Sequence, residues 1–173
     1  MECAECGFSY DSVAPDDAPE NLRAFGQRYR IPLTRGLKGE DLDALLRMHP
    51  LDGTWSALEY ACHMRDVLRV QRERMQQALA QDGFYAVPMR RDELVTELAY
   101  NAQDPIEVID DLDANGGRLA DAFAALSPAD WERTFVYHEE GERTLLWVAQ
   151  HTVHEGEHHL LDIGRVLRAA RGR

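Results

Sequence analysis

Gln150-His151-Thr152-Val153-His154-Glu155-Gly156-Glu157-His158-His159-Leu160-Leu161-Asp162 holds four of the seven histidines of the chain, together with two glutamates and an aspartate. Apolar residues recur at helical spacing on both sides, so the stretch reads as the middle of a long helix from about Thr144 to Ala170. A helix of that length has to bury one face, and Val153, Leu160, Gly164 and Leu167 mark it. Imidazole and carboxylate groups crowded onto such a helix are the donor set of a divalent-metal centre. The other elements of the chain are then expected to enclose that centre.

Residues four apart on a helix stand one turn above each other and can reach one ion. Two pairs qualify: His154 with His158, and Glu155 with His159, about 100° further round the helix. His159 flanks the apolar stripe on the side of Val148, Thr152, Ile163 and Val166. His158 lies on the other flank, nearer His151 and Arg165. This pattern favours Glu155 and His159 and keeps His154 and His158 as the alternative. A third ligand has to come from another helix. His49 and His138 fall in loop sequence, whereas His63 sits in a strong helical pattern, with Glu59 or Asp66 nearby as support and Glu59 also as an alternative ligand. Three protein ligands leave positions open on the ion, which is the arrangement of a catalytic site rather than a structural one.

Outward from this pairing the chain reads as helices. Ser56-Ala57-Leu58-Glu59 has capping-box spacing and predicts a helix from there to about Gln81. Asp104-Pro105-Ile106-Glu107 starts another, which carries Val108, Ile109, Leu112, Leu119 and Phe123. Gly116-Gly117 in its middle predicts close packing or a kink. Leu22, Phe25, Tyr29 and Leu33 predict a first helix over Asn21 to Gly36, which Pro32 should kink or split. Short helices are expected at Glu40 to Met48 and after Ser127, a helical turn or two within Asp92 to Tyr100, and an extended piece over Thr134 to His138. The long connection from Phe84 to Gln103 has the length of a lid or site wall. The sum is an all-α protein, a four-helix bundle with short extra helices over residues 18–173, preceded by an irregular arm over residues 1–17.

That arm contains Cys3-Ala-Glu-Cys6-Gly7, whose shape is that of a zinc knuckle. No second C-x-x-C exists to complete four ligands, so Cys3 and Cys6 stand as a separate metal or redox site completed elsewhere, or as two reduced thiols. Cys62 adjoins His63, but neighbouring helical residues diverge by about 100°, and a buried inert thiol is expected. Three cysteines without a secretion signal argue against a disulfide framework and for a cytoplasmic setting. A net charge of −12 argues against nucleic acid or an anionic membrane surface as partner. No run approaches the roughly 20 apolar residues of a membrane span. A homodimer is compatible with such a bundle, although no exposed apolar stripe places its interface. Neither a nucleophile elbow nor a glycine-rich phosphate loop is present.

Trp55-Ser56 followed by His63, a W-S-x6-H pattern, resembles the second helix of the DinB family of four-helix-bundle metalloproteins. His151, His154-Glu155, His158-His159 and Asp162-Ile163 fall in the register of that family's last-helix motif. The metal-binding pair of the motif then lands on Glu155 and His159, with Glu155 a carboxylate where the family usually has histidine. Glu155-x3-His159-x2-Asp162-Ile163 is similar to the form in the mycothiol-dependent maleylpyruvate isomerase branch, which uses a His, Glu, His set. The resemblance spans about residues 20 to 170 and leaves the Cys3/Cys6 arm unmatched. It implies His63, Glu155 and His159 as ligands of a zinc or nickel ion, with His154, His158 and Asp162 in supporting roles. It further implies a small-molecule substrate and a thiol co-substrate of the mycothiol type, activated at the ion for transfer or isomerisation. A hydrolase using metal-bound water, with Glu59 or Glu157 as base, is the competing enzyme. A non-catalytic, stress-associated metal-binding protein is the alternative without chemistry.

Overall fold

The computed structural model describes residues 1–138 and 141–173. Among these, the helices in chain order are α1 (Ala18–Thr34), α2 (Leu42–Arg47), α3 (Ala57–Ala80), α4 (Arg91–Glu97), α5 (Pro105–Ala124), α6 (Pro128–Trp131) and α7 (Leu145–Ala170). The four long ones, α1, α3, α5 and α7, form the bundle. α5 and α7 each pack on both α1 and α3, so α1 and α3 face one another across the diagonal. One continuous core joins them, with Phe25, Tyr29, Leu58, Leu68, Ile109 and Ile163 buried in it.

The helix starts follow the local chemistry. Ser56 Oγ accepts from the Glu59 N–H, while the Glu59 carboxylate accepts from the Ser56 N–H at 2.7 Å, so two otherwise orphaned donors of α3 are satisfied reciprocally. The Asp104 side chain accepts from the N–H groups of Ile106 and Glu107 ahead of α5, and the Thr144 side chain accepts from Trp147 N–H ahead of α7. Pro32 neither splits nor displaces α1. It lies in the last turn, and the helix ends two residues later at Thr34, where a lost i−4 hydrogen bond matters least.

Two glycines set how closely the helices approach. A Cβ at Gly116 would stand 2.9 Å from the Leu22 carbonyl oxygen of α1. The glycine pair therefore reflects close packing, and α5 runs through it unbroken. A Cβ at Gly156 would stand 2.2 Å from the Phe25 ring, and the Tyr29 hydroxyl donates to the Gly156 carbonyl at 3.0 Å. The histidine-rich segment of α7 is thus pressed onto α1 from behind, which turns Glu155 and His159 toward α3.

A small sheet caps one end. β1 (Tyr85–Ala86) pairs in parallel with β2 (Thr134–Tyr137), and β2 pairs antiparallel with β3 (Glu142–Thr144). The extended piece expected near Thr134 is β2; strands of two and three residues carry no readable period. The N-terminal arm is irregular in secondary structure and is held by backbone hydrogen bonds. Cys3 N–H donates to Phe8 O and Gly7 N–H to Cys3 O, both at 2.9 Å, and Glu2 bridges to Ser9. A 3-10 turn over Tyr10–Ser12 follows, with Tyr10 and Val13 buried. Among the described residues, no helix is long and apolar enough to cross a membrane.

Candidate metal centre

The capping box at Ser56 fixes where α3 begins and so places His63 in its second turn, facing α7. His63 Nε2 lies 3.9 Å from Glu155 Oε2, and His159 Nε2 lies 3.5 Å from the same oxygen. One donor atom from each of the three residues falls within 4.8 Å of the other two. Ligand atoms around a tetrahedral ion with bonds near 2.0–2.1 Å stand about 3.3 Å apart. The three atoms are therefore grouped slightly wider than an ion would hold them. Both ring nitrogens of His63 and Nε2 of His159 are buried without a hydrogen-bond partner. Unpaired buried polar atoms of this kind cost about 1–3 kcal/mol each, and lone pairs converging on one point fit a metal ion.

His159 is oriented from behind. Asp162 Oδ2 lies 3.1 Å from His159 Nδ1, which puts the proton on Nδ1 and the lone pair on Nε2, the usual carboxylate–histidine support of a ligand. Trp55 stands edge-on to the His63 ring at 5.0 Å between centroids, and Tyr60 lies 5.3 Å from the His159 ring. These rings wall the donors with apolar surface.

The electrostatics suit a cation. Burial works against the Glu155 carboxylate, but His154, His159 and His63 around it outweigh that and hold it well below the usual range. Burial likewise opposes a proton on His159, yet the Asp162 hydrogen bond and Glu155 raise it to about 9. Burial lowers His63 and keeps it neutral. The cluster offers an ionised carboxylate, a neutral imidazole and an imidazole holding a displaceable proton.

Two clefts are lined by these donors. One of about 380 Å³ is lined by His63 and Glu155 with Gln71, Arg74, Met89 and Tyr137. The other, of about 670 Å³, is lined by His159 with Trp55, Tyr60, Asp162, Cys3 and Arg165. Arg91 and Asp92, at the start of α4, line both. The long connection expected to be a site wall supplies Pro88 to Glu93 to the smaller cleft.

Other residues singled out in the sequence lie elsewhere. Glu59 is committed to the α3 cap and to His49 Nε2 at 2.7 Å. Asp66 accepts from the Tyr100 hydroxyl at 2.6 Å and pairs with Arg65. Glu157 turns toward α1, where Arg28 grips both its oxygens. Cys62 is buried with its thiol toward Tyr100 O, and burial pushes it up to about 12. His154 and His158 are not part of the His63 cluster and face the N-terminal arm, where they group with Cys3 and Cys6. Tyr10, unremarked in the sequence, places its hydroxyl 3.2 Å from Nδ1 of both His151 and His154. Nothing in residues 1–17 signals that contact. Tyr60 could have been found, since it sits three residues before His63 on the same helical face.

The fold is a helical bundle with a His, Glu, His cluster between its second and last long helices. The chain belongs to the DinB superfamily, whose family model matches residues 33–163. Its structure is similar to YfiT from Bacillus subtilis, described as a probable metal-dependent hydrolase with an unusual four-helix bundle topology. The TM-score is 0.81 at 17% identity, over 97% of this chain and 92% of that one. It is also similar to the mycothiol-dependent maleylpyruvate isomerase, with a TM-score of 0.69 at 16% identity, over 91% of this chain and 63% of that one. No curated protein sequence matches.

Proposed function

We propose that His63, Glu155 and His159 hold a divalent ion, zinc or nickel, and that the protein is an enzyme joining a small electrophilic substrate to a low-molecular-weight thiol of the mycothiol type, by transfer or isomerisation. The observation that carries the reading is that the three donors are divided between two clefts that share Arg91 and Asp92, because a two-reactant reaction needs two approaches to one centre. When bound, the ion supplies a Lewis acid that lowers the pKa of a thiol at its open position. Asp162 keeps His159 in the ligating tautomer. Trp55 and Tyr60 exclude water from the donors. Arg91, at the junction of the clefts, is the cation placed to meet an acidic group on either reactant. The likeness in fold to the mycothiol-dependent maleylpyruvate isomerase agrees with this reading. We place the reaction in the cytoplasm, where such a thiol stays reduced.

A hydrolase, with water in place of the thiol, is favoured by the description of YfiT. Against it, neither Glu59 nor Glu157 is free to act as base, since each carboxylate is held by other partners. The test is turnover by the metal-loaded protein of electrophiles with a panel of thiols, beside esters and amides without thiol. Thiol-dependent turnover that His63→Ala abolishes is the expected result. Ester or amide turnover without thiol assigns a hydrolase. Stoichiometric metal without either turnover assigns a non-catalytic metal-binding protein, and a protein that takes up no metal removes the centre altogether.

A further inference from the structure

The centre leaves the two N-terminal cysteines and the second histidine pair of α7 unused, and the fold brings those four residues together. Cys3 and Cys6 sit on a tight turn closed by the Gly7 N–H bond to Cys3 O at 2.9 Å. Gly7 takes a φ of +71°, a conformation that glycine adopts without strain, and the chain returns along itself through the Glu2–Ser9 bridge. Opposite this turn, α7 presents His154 and His158, one helical turn apart. Cys3 Sγ lies 3.8 Å from His158 Nδ1, and one donor atom from each of the four residues falls within 4.8 Å of the others. Zinc bonds of about 2.3 Å to sulfur and 2.0–2.1 Å to nitrogen place tetrahedral S and N ligands about 3.6 Å apart.

The outward nitrogens of both rings are supported as ligands usually are. His158 Nε2 faces Glu5 Oε2 at 3.4 Å and Asp162 Oδ2 at 3.6 Å. His154 Nδ1 faces the Tyr10 hydroxyl at 3.2 Å, which leaves its Nε2, buried and without a hydrogen-bond partner, as the donor. We propose that Cys3, Cys6, His154 and His158 form a second, closed zinc site that fastens the N-terminal arm to α7. It does not rest on the function proposed above, because the two sites share no ligand. Four protein ligands leave no open position, so the site is structural. Its ligands come from segments about 150 residues apart, so the ion closes a long loop of chain. Cys3, Ala4 and Glu5 line the larger cleft. Zinc therefore fixes one wall of that cleft, and Asp162 touches a histidine of each site.

The test is zinc stoichiometry and X-ray absorption on the full chain. Zinc-loaded wild type should bind two equivalents and show a zinc–sulfur shell near 2.3 Å. Cys3→Ser/Cys6→Ser should lose one equivalent and the whole sulfur shell while keeping the other ion. His63→Ala should lose the other equivalent and keep the sulfur shell. Zinc should protect Cys3 and Cys6 of the wild type from alkylation at least tenfold. A loaded wild type without zinc–sulfur scattering, a double serine variant that binds as much zinc as wild type, or thiols alkylated equally fast with and without zinc would overturn the proposal. The scattering and alkylation measurements use wild type alone, so they decide the matter even where a variant fails to fold. A wild type that binds a single equivalent and shows the full sulfur shell would count against the catalytic centre and leave this one standing.

Discussion

Gly156→Ala sets two effects of opposite sign against each other. In a helix interior alanine is favoured over glycine by about 0.8–1.0 kcal/mol, so α7 considered alone should gain stability. In the fold, the new β-carbon would lie 2.2, 2.5 and 2.6 Å from three carbons of the Phe25 ring. Ordinary carbon contacts are about 3.5–4.0 Å, so ring and helix must separate by more than about 1 Å. Phe25 is wholly buried, with Tyr29 edge-on at 6.1 Å, and has nowhere to rotate. Overpacking costs about 1–3 kcal/mol, and three atoms colliding at once argue for the upper half of that range. After the propensity gain the net loss is about 1–2 kcal/mol, or a Tm lower by roughly 2–8 °C in a domain of this size. Thermal and urea unfolding followed by circular dichroism measure it. In a Phe25→Leu background the same substitution should cost at least about 1 kcal/mol less, the coupling expected of residues in contact. A Gly156→Ala protein as stable as wild type, or more so, refutes the close approach that turns Glu155 and His159 toward α3.

Asp162→Asn should weaken zinc binding at the His63 centre about 10–100-fold by removing the carboxylate behind His159; chelator competition reads this, and unchanged affinity rejects the supporting role. Because His159 holds its proton up to about pH 9, zinc binding at pH 7 should expel that proton, and affinity should rise with pH until about 9. Calorimetry of the Cys3→Ser/Cys6→Ser protein in buffers of different ionisation enthalpy measures the release, and a heat independent of buffer contradicts it. In metal-free protein the N–H groups of Cys6 and Glu5, together with His154, lower Cys3 to about 6, while burial raises Cys62 to about 12. Cys3 alkylation should therefore climb through pH 6 and level off, with Cys62 inert at pH 8; equal rates at pH 8 would rule out this contrast.

The bundle was legible because its signals are local. Capping at Ser56 and Asp104 and the apolar period of α3, α5 and α7 each depend on residues within a turn or two of one another. The short strands were not, since Tyr85–Ala86 and Glu142–Thr144 exist only through pairing with β2. Pro32 misled because its effect depends on distance from a helix end that the sequence does not mark sharply. Glu59 misled in another way: the capping box that announced α3 is also what occupies its carboxylate.

The sequence by itself determined that α7 carries two ligand-competent pairs a quarter-turn apart, because helical periodicity fixes the angle between Glu155/His159 and His154/His158 whatever the surroundings. It posed them as rivals for one ion. Tertiary structure sends them to different surroundings, since the face each pair meets is set by long-range packing. The Gly156–Phe25 contact points one pair at His63, and the path of the N-terminal arm lays Cys3 and Cys6 against the other. No spacing within 173 residues encodes that a cysteine at position 3 will meet a histidine at position 158; the burial of Tyr10 and Val13 against the bundle brings them together.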